Sequence, residues 1–341
     1  MLPIGPNIWA AAVPAGMAQA GREDWRMAKY MITGGCGFIG SHLVTALLAA
    51  GDDVHVLDNL STGRREALPS GAKLFVGDVA DADLVRQVME GCAGCFHLAA
   101  RTAIQDSLVD WRGTHRSNQT GSITVFDAAR SFANPVPVVY ASSASVYGDN
   151  PALPLAETAT PAPLTAYAAD KLGSEMHGRA AWYSHRIPNT GLRFFNVYGP
   201  FDRDSSLSNA GVVAAFAARI LRDAPVQIHG DGRQIRDFIH VSDVVAHLLA
   251  TMRRLSDGAR VYNVCSGKPA SILQLAEQIG VFAGKQPQLQ FGQQRMGDIQ
   301  DSLGDPSKAT AELGVSATIS LAAGLKGMLD YLLAGAGALR P

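Results

Sequence analysis

The run Met31-Ile32-Thr33-Gly34-Gly35-Cys36-Gly37-Phe38-Ile39-Gly40 joins a short apolar stretch to a helical-period segment through glycines at 34, 37 and 40. Little else in the chain restricts its fold as strongly. Glycine is needed where the backbone reverses sharply, where it must approach a pyrophosphate, and where a helix packs closely on a strand. Such a turn opens a βαβ unit, and with it a parallel sheet covered by helices. Asp58 closes the next apolar run, at a spacing suited to accepting hydrogen bonds from an adenosine ribose. A carboxylate there repels a 2′-phosphate, so the expected dinucleotide is NAD. Arg64 and Arg65 are the counter-signal, and a solvated loop accounts for them.

From Ala28 onward, short apolar runs alternate with segments of helical period. Strands are expected over 28–33, 54–58, 73–76, 95–98, 136–140 and 189–193, and helices over 38–50, 81–90, 114–130 and 167–185, with Asp81 as an N-cap. The fold class is therefore α/β: a doubly wound parallel Rossmann sheet. After Phe195 glycine, proline and charged residues cluster, a helix is expected near 211–222, and shorter elements follow in irregular order. We expect a NAD-binding domain over 27–195 and a smaller mixed α/β substrate domain over 196–341 that returns elements to the sheet. Residues 1–26 read as a disordered extension broken by Pro3, Pro6 and Pro14, with Met27 as a candidate start.

Composition removes several function classes. Lys plus Arg is 29 against 30 Asp plus Glu, so no basic footprint calls for nucleic acid or an anionic membrane. Four cysteines are too few for a disulfide scaffold and fit a reducing, cytoplasmic setting. Cys92 and Cys95 form a lone CxxC without a second pair, and no metal site is expected.

Tyr167 and Lys171 stand four apart on one face of an expected helix, so a phenol and an ammonium can converge. A fixed cation favours the phenolate, which brings tyrosine into the range of a general base. Upstream, Tyr140-Ala141-Ser142-Ser143-Ala144-Ser145-Val146-Tyr147-Gly148 ends a strand in clustered hydroxyls. A serine there can complete a proton-handling triad beside a nicotinamide. Asp78, in Gly77-Asp78-Val79, is expected near the adenine, and the small residues of His97-Leu98-Ala99-Ala100 let the cofactor lie against the sheet edge.

With these motifs the chain resembles the extended short-chain dehydrogenase/reductase family, in its nucleotide-sugar epimerase branch, typified by UDP-glucose and UDP-N-acetylglucosamine 4-epimerases. Asp58-Asn59-Leu60-Ser61-Thr62-Gly63, Arg193-Phe194-Phe195-Asn196-Val197-Tyr198-Gly199-Pro200, Gly230-Asp231-Gly232-Arg233-Gln234-Ile235-Arg236-Asp237-Phe238 and Arg295-Met296-Gly297-Asp298 carry the likeness further. The resemblance implies a tightly bound NAD held by Gly34, Gly37, Phe38, Ile39, Gly40, Asp58, Asn59, Ser61, Thr62, Gly63, Asp78, Val79, Leu98, Ala99, Ala100 and Phe194. It implies that Tyr167 takes the proton from the sugar C4 hydroxyl, that Lys171 lowers the tyrosine pKa and holds the nicotinamide ribose, and that Ser143 assists. It also implies that Ser145, Asn196, Val212, Arg236, Arg295 and Asp298 hold a UDP-sugar, and that the chain is a homodimer through helices matching 114–130 and 167–185.

Related dehydratases and decarboxylases typically carry an acid just before the Val-Tyr-Gly of the serine run. Ser145 stands there, so epimerisation is favoured over water loss. UDP-glucuronate 4-epimerases are nearer rivals, and Phe195-Asn196 points away from them towards neutral sugars. In this branch a tyrosine at the position of Ser302 restricts the site to glucose and galactose, whereas a small residue admits an N-acetyl group. Arg101, Ala103 and Phe194 depart from the family pattern. A rival class, a non-catalytic NAD-bound sensor on the same fold, is disfavoured by the intact Tyr167, Lys171 and Ser143.

Overall fold

The computed structural model describes residues 27–337 apart from 103–106, 108, 201–210, 256 and 295–298. The expected disordered extension over 1–26 lies outside the described residues, as do Ala103, Arg295 and Asp298.

Six strands are formed by β1 (Lys29–Thr33), β2 (Asp53–Asp58), β3 (Lys73–Val76), β4 (Gly94–His97), β5 (Val138–Ser143) and β6 (Asn189–Phe194). Between them run α1 (Phe38–Ala49), α2 (Ala82–Met89), α3 (Trp111–His115), α4 (Gly121–Ala129) and α5 (Ala166–His185). The remainder comprises β7 (Asn196–Tyr198), α6 (Val212–Leu221), β8 (Val226–His229), β9 (Ile235–His240), α7 (Val241–Arg253), β10 (Ala259–Val264), β11 (Pro269–Ser271), α8 (Ile272–Ala283), β12 (Leu289–Gly292), α9 (Ser307–Leu313) and α10 (Leu321–Gly337).

Seven strands make one sheet in the order β10-β6-β5-β4-β1-β2-β3, with every pairing parallel. The chain turns outward from β1 in both directions, which places the topological switch between β1 and β4. In open sheets of this kind ligands bind beyond the carboxyl ends at that crevice. A three-stranded sheet, β11-β9-β7, and the pair β12-β8 lie beyond residue 195, while β10 from the same stretch extends the large sheet next to β6.

Strand period two decides which core each residue joins. Ile32, Phe96, Val139 and Leu192 face α1 and α7 through Leu43, Val44, Val244 and Leu248. Their neighbours Met31, Cys95 and Val138 face α2 and α4 through Val85, Val88 and Val125. A separate core joins β8 and β9 to α6, α8 and α10 through Ile228, Phe238, Phe216, Leu275 and Leu325. Asp81 caps α2 by accepting from the Leu84 N–H at 3.1 Å, as its position before an apolar helix predicts. Among the described residues no helix is long and apolar enough to cross a membrane.

The helix expected over 114–130 is different. It starts at Trp111 and is broken by a π turn over Arg116–Thr120 before α4. In this turn the Asn118 side-chain amide meets the backbone of Arg101, its Nδ2 donating to the carbonyl at 3.1 Å and its Oδ1 accepting from the N–H at 2.8 Å. Such π turns recur at functional sites, and this one points Ser117 at the cavity described below.

Candidate active site

Backbone contacts define the first wall of the site. Gly34 has φ +72°, and a Cβ there would meet the Ala99 N at 2.7 Å; a Cβ on Gly40 would run into the Gly34 carbonyl. Glycine at these positions holds the β1–α1 turn against the end of β4 and leaves the first turn of α1 open to an anion. Asp58 sets the loop: its Oδ2 accepts from the Cys36 N–H at 2.9 Å and its Oδ1 from the Leu60 N–H at 2.8 Å. Each oxygen keeps a lone pair, and the residue lines the cavity, so ribose hydroxyls can still be accepted.

Behind that wall runs a fixed polar chain. The Ala99 N–H donates to Thr33 Oγ1 at 3.1 Å, which directs the Thr33 hydroxyl to His97 Nδ1 at 2.7 Å. His97 Nε2 then carries the proton and donates to Ser122 Oγ at 3.0 Å. Burial pushes His97 down to about 3, so it stays neutral and acts as a strut between β4 and α4.

Tyr167 and Lys171 project from the first turns of α5, whose start is fixed by Thr165 accepting from the Ala168 N–H at 3.1 Å. Ser143, the last residue of β5, accepts from the N–H and hydroxyl of Ser145 at 3.2 and 2.9 Å. With its acceptor sites occupied, Ser143 sends its own proton to the Tyr167 oxygen. Burial raises the Tyr167 pKa, and the Ser143 hydrogen bond opposes that rise. Lys171 is 4% exposed, donates to the Ala141 carbonyl at 2.8 Å, and lies 5.8 Å from the centre of the Tyr167 ring. Burial lowers it to about 8, with Asp170 opposing. The Ser143 hydrogen bond thus works against the burial of the phenol, and the Lys171 ammonium lies over the face of the same ring.

A buried ion pair, between Arg193 of the Arg193–Pro200 stretch and a glutamate outside every quoted motif, holds the triad in register. Glu175, one turn beyond Lys171, takes Arg193 of β6 in a two-pronged contact, Nε–Oε1 2.9 Å and Nη2–Oε2 2.7 Å, and also accepts from Ser142 Oγ at 2.6 Å. Thus α5, β5 and β6 are joined one residue from Ser143. Breaking a buried pair of this kind leaves an uncompensated charge, which typically costs about 3–5 kcal/mol.

These groups open onto a cavity of about 1010 Å³ running from the glycine turn to β8 and β9. That stands at the upper end of the usual space for a bound ligand, about 300–1,000 Å³. Every cofactor contact expected from sequence lines it except two. Gly63 packs on Cys36, and the Asp78 carboxylate turns back to the Ala80 N–H at 2.9 Å and to Arg116 at 3.1 Å.

On the substrate-facing side Asn196, Val212 and Arg236 line the cavity with Ser143. Ser145 is outside the lining and bonded to Ser143, and Ser302 is buried outside it too, its N–H donating to the Ile235 carbonyl at 3.0 Å. Sequence reasoning missed Ser117, Arg219, Gln227, His229 and Gln234, which also line it. Arg219 carried a readable signal, since it follows Val212 by two helical turns on the same face.

Residues 30–265 match the model of the NAD dependent epimerase/dehydratase family. The chain is 34% identical over 310 residues to a UDP-glucose 4-epimerase of Mycolicibacterium smegmatis, covering 89% of this chain and 98% of that protein. Among solved structures it resembles a UDP-glucose 4-epimerase of Thermotoga maritima crystallised with UDP-glucose, with TM-score 0.86, 31% identity and coverage of 90% and 99%. It also resembles a UDP-N-acetylglucosamine 4-epimerase of Methanobrevibacter ruminantium in complex with UDP-N-acetylmuramic acid, with TM-score 0.84, 30% identity and coverage of 91% and 100%.

Proposed function

The chain belongs to the NAD dependent epimerase/dehydratase family, and we propose that within it the chain inverts the C4 hydroxyl of a UDP-hexose. The observation that carries this reading is the Ser143–Tyr167–Lys171 cluster, set midway along one cavity that joins the glycine cradle to Arg236. NAD, when bound at the cradle, supplies a reversible hydride acceptor. The turn over Gly34–Gly40 and Asp58 fit its pyrophosphate and ribose by backbone N–H groups and carboxylate lone pairs.

Tyr167 is placed to take the C4 hydroxyl proton and return it to the rotated 4-keto sugar, while Ser143 stabilises the phenolate by donation. Lys171 holds positive charge beside the phenol. Arg236 anchors the diphosphate, and its Nη1 is braced by the Ile235 and Gln300 carbonyls at 2.8 and 3.1 Å. Arg295 and Asp298 are assigned to the same end from their motif. The absence of an acid at Ser145 supports epimerisation over dehydration, and the small Ser302 supports acceptance of an N-acetyl group.

We read 27–195 as the cofactor domain and 196–341 as the substrate domain, a cytoplasmic setting from the four buried free thiols, and a homodimer. Ile123 on α4 and Met176 and Tyr183 on α5 are apolar and exposed, which supports a dimer through those helices. Light scattering should give twice the chain mass, and Tyr183→Glu should give monomers; a monomeric parent protein would remove the dimer.

The function is tested by incubating purified protein, with no added cofactor, with UDP-GlcNAc, UDP-Glc and UDP-glucuronate while following anomeric protons by NMR. The C4 epimer of a neutral sugar is the expected product. Conversion of UDP-glucuronate alone would transfer the assignment to the acidic sugar, and no conversion after adding NAD would remove the reading.

A further inference from the structure

Ser145 belongs to the clustered hydroxyls that follow β5, yet it does not line the cavity. It stands in the 3-10 turn Ala144–Tyr147, and Ser143 is the N-cap of that turn, its Oγ accepting from the Ser145 N–H at 3.2 Å. The Ser145 hydroxyl folds back and donates to the same Ser143 oxygen at 2.9 Å. Ser145 is partly buried, and Ser143 is the partner of its hydroxyl among the described residues. The hydroxyl of Ser142 is used differently, donating to Glu175 at 2.6 Å.

A serine hydroxyl has one proton to give and two lone pairs with which to receive. Left free to rotate, it either donates to a phenol oxygen or accepts from a phenol proton, and only the first favours the ionised phenol. Both lone pairs of Ser143 are filled from Ser145, one by the N–H and one by the hydroxyl. What remains is its proton, and the open side of Ser143 is the cavity that Tyr167 also lines. A donor fixed before substrate arrives needs no reorientation when charge develops on the reacting oxygen.

We propose that Ser145 is a positioning residue, which fills both acceptor sites of Ser143 and so holds it as a donor towards the phenol oxygen of Tyr167. The inference rests on the assignment of Tyr167 to the C4 proton. The backbone half of this arrangement is open to any residue at 145 that has an N–H. The other half needs the hydroxyl of serine or threonine.

The test compares Ser145→Thr with Ser145→Val, which share a shape and differ in the hydroxyl, and adds Ser145→Ala, which keeps the N–H that caps the turn. Protein as purified, labelled with 13Cζ-tyrosine, is titrated by NMR, with the Tyr167 signal assigned by its loss in Tyr167→Phe. In the Val and Ala variants the Tyr167 midpoint should rise by about one pH unit and kcat at pH 7 should fall by about tenfold, the worth of one hydrogen bond. KM should be unchanged, because Ser145 lies outside the lining. The Thr variant should stay close to the parent in midpoint and in kcat. Lys171 and the His115–Asp170 and Glu175–Arg193 pairs are the same in all three variants, so a difference between Thr and Val reads the hydroxyl. An unmoved midpoint in the Val and Ala variants, a Thr variant as impaired as the Val variant, or a loss confined to KM would overturn the proposal. A raised midpoint in a protein that epimerises no UDP-hexose would keep the Ser145–Ser143 arrangement and remove the C4 reading instead.

Discussion

The two ends of the cavity are built by different means. At the Gly34 end the walls are backbone: a left-handed glycine, a strand terminus, and an aspartate that accepts two main-chain N–H groups. At the Arg236 end they are side chains from short strands and one helix face: Val212, Arg219, Gln227, His229 and Arg236. A backbone wall can be altered only by changing the fold, whereas a side-chain wall can be exchanged residue by residue. The cradle therefore commits the chain to a dinucleotide, and the far end decides what lies opposite it.

Variants at the two ends should fail in different ways. The largest effect is expected at the cradle. Gly40→Val drives a branched side chain into the Gly34 carbonyl and should cost about 3–5 kcal/mol, read as a lowered Tm and protein purified without NAD. If the variant kept its cofactor and stability, backbone closeness would not be the determinant of the cradle.

Lys171 tests the boundary between the two ends. Burial lowers it from 10.5 to about 8. The folded state therefore bears the cost of the buried charge fully below pH 8, partly between 8 and 10.5, and not above. Near pH 7 that is about 3 kcal/mol. Lys171→Met should abolish turnover and yet raise Tm at pH 7, with the gain shrinking towards pH 10. A lowered Tm at pH 7 would contradict the assignment.

The far end should respond in affinity. Arg236→Ala is expected to raise KM by about tenfold to a hundredfold, the usual worth of charge-assisted hydrogen bonds, with Tm and NAD content unchanged; initial rates against substrate concentration separate KM from kcat. The smallest effect is expected at Ser302. Ser302→Tyr should lower the rate on UDP-GlcNAc relative to UDP-Glc by about tenfold, a typical steric discrimination. An unchanged ratio would take Ser302 out of sugar selection.

The same contrast governs how much could be read from the sequence. Strands β1 to β4 and helices α1 and α2 fall within two residues of their expected limits, because period, glycine and cap residues are local signals. Strand β5 runs on to Ser143, three residues past the expected end at 140. The run of small hydroxyls resembles a loop, yet pairing with β6 keeps it extended. The π turn at Arg116–Thr120 leaves no trace in spacing, and the contact made from it, Asn118 to the backbone of Arg101, exists only once the two segments meet in the fold. For the same reason the Glu175–Arg193 pair went unseen: residues 18 apart in the chain meet only once β6 lies beside β5. Asp78 shows what spacing cannot give, the direction of a carboxylate, which here meets its own turn and Arg116.

The central claim is that hydride leaves and returns to one carbon inside one cavity, with Tyr167 handling only the hydroxyl proton. The direct measurement uses UDP-glucose bearing deuterium at C4, incubated in ordinary water and followed by NMR. The account predicts a C4 epimer that retains deuterium at C4. Product with hydrogen at C4 would mean that the carbon exchanges with solvent, and would contradict it.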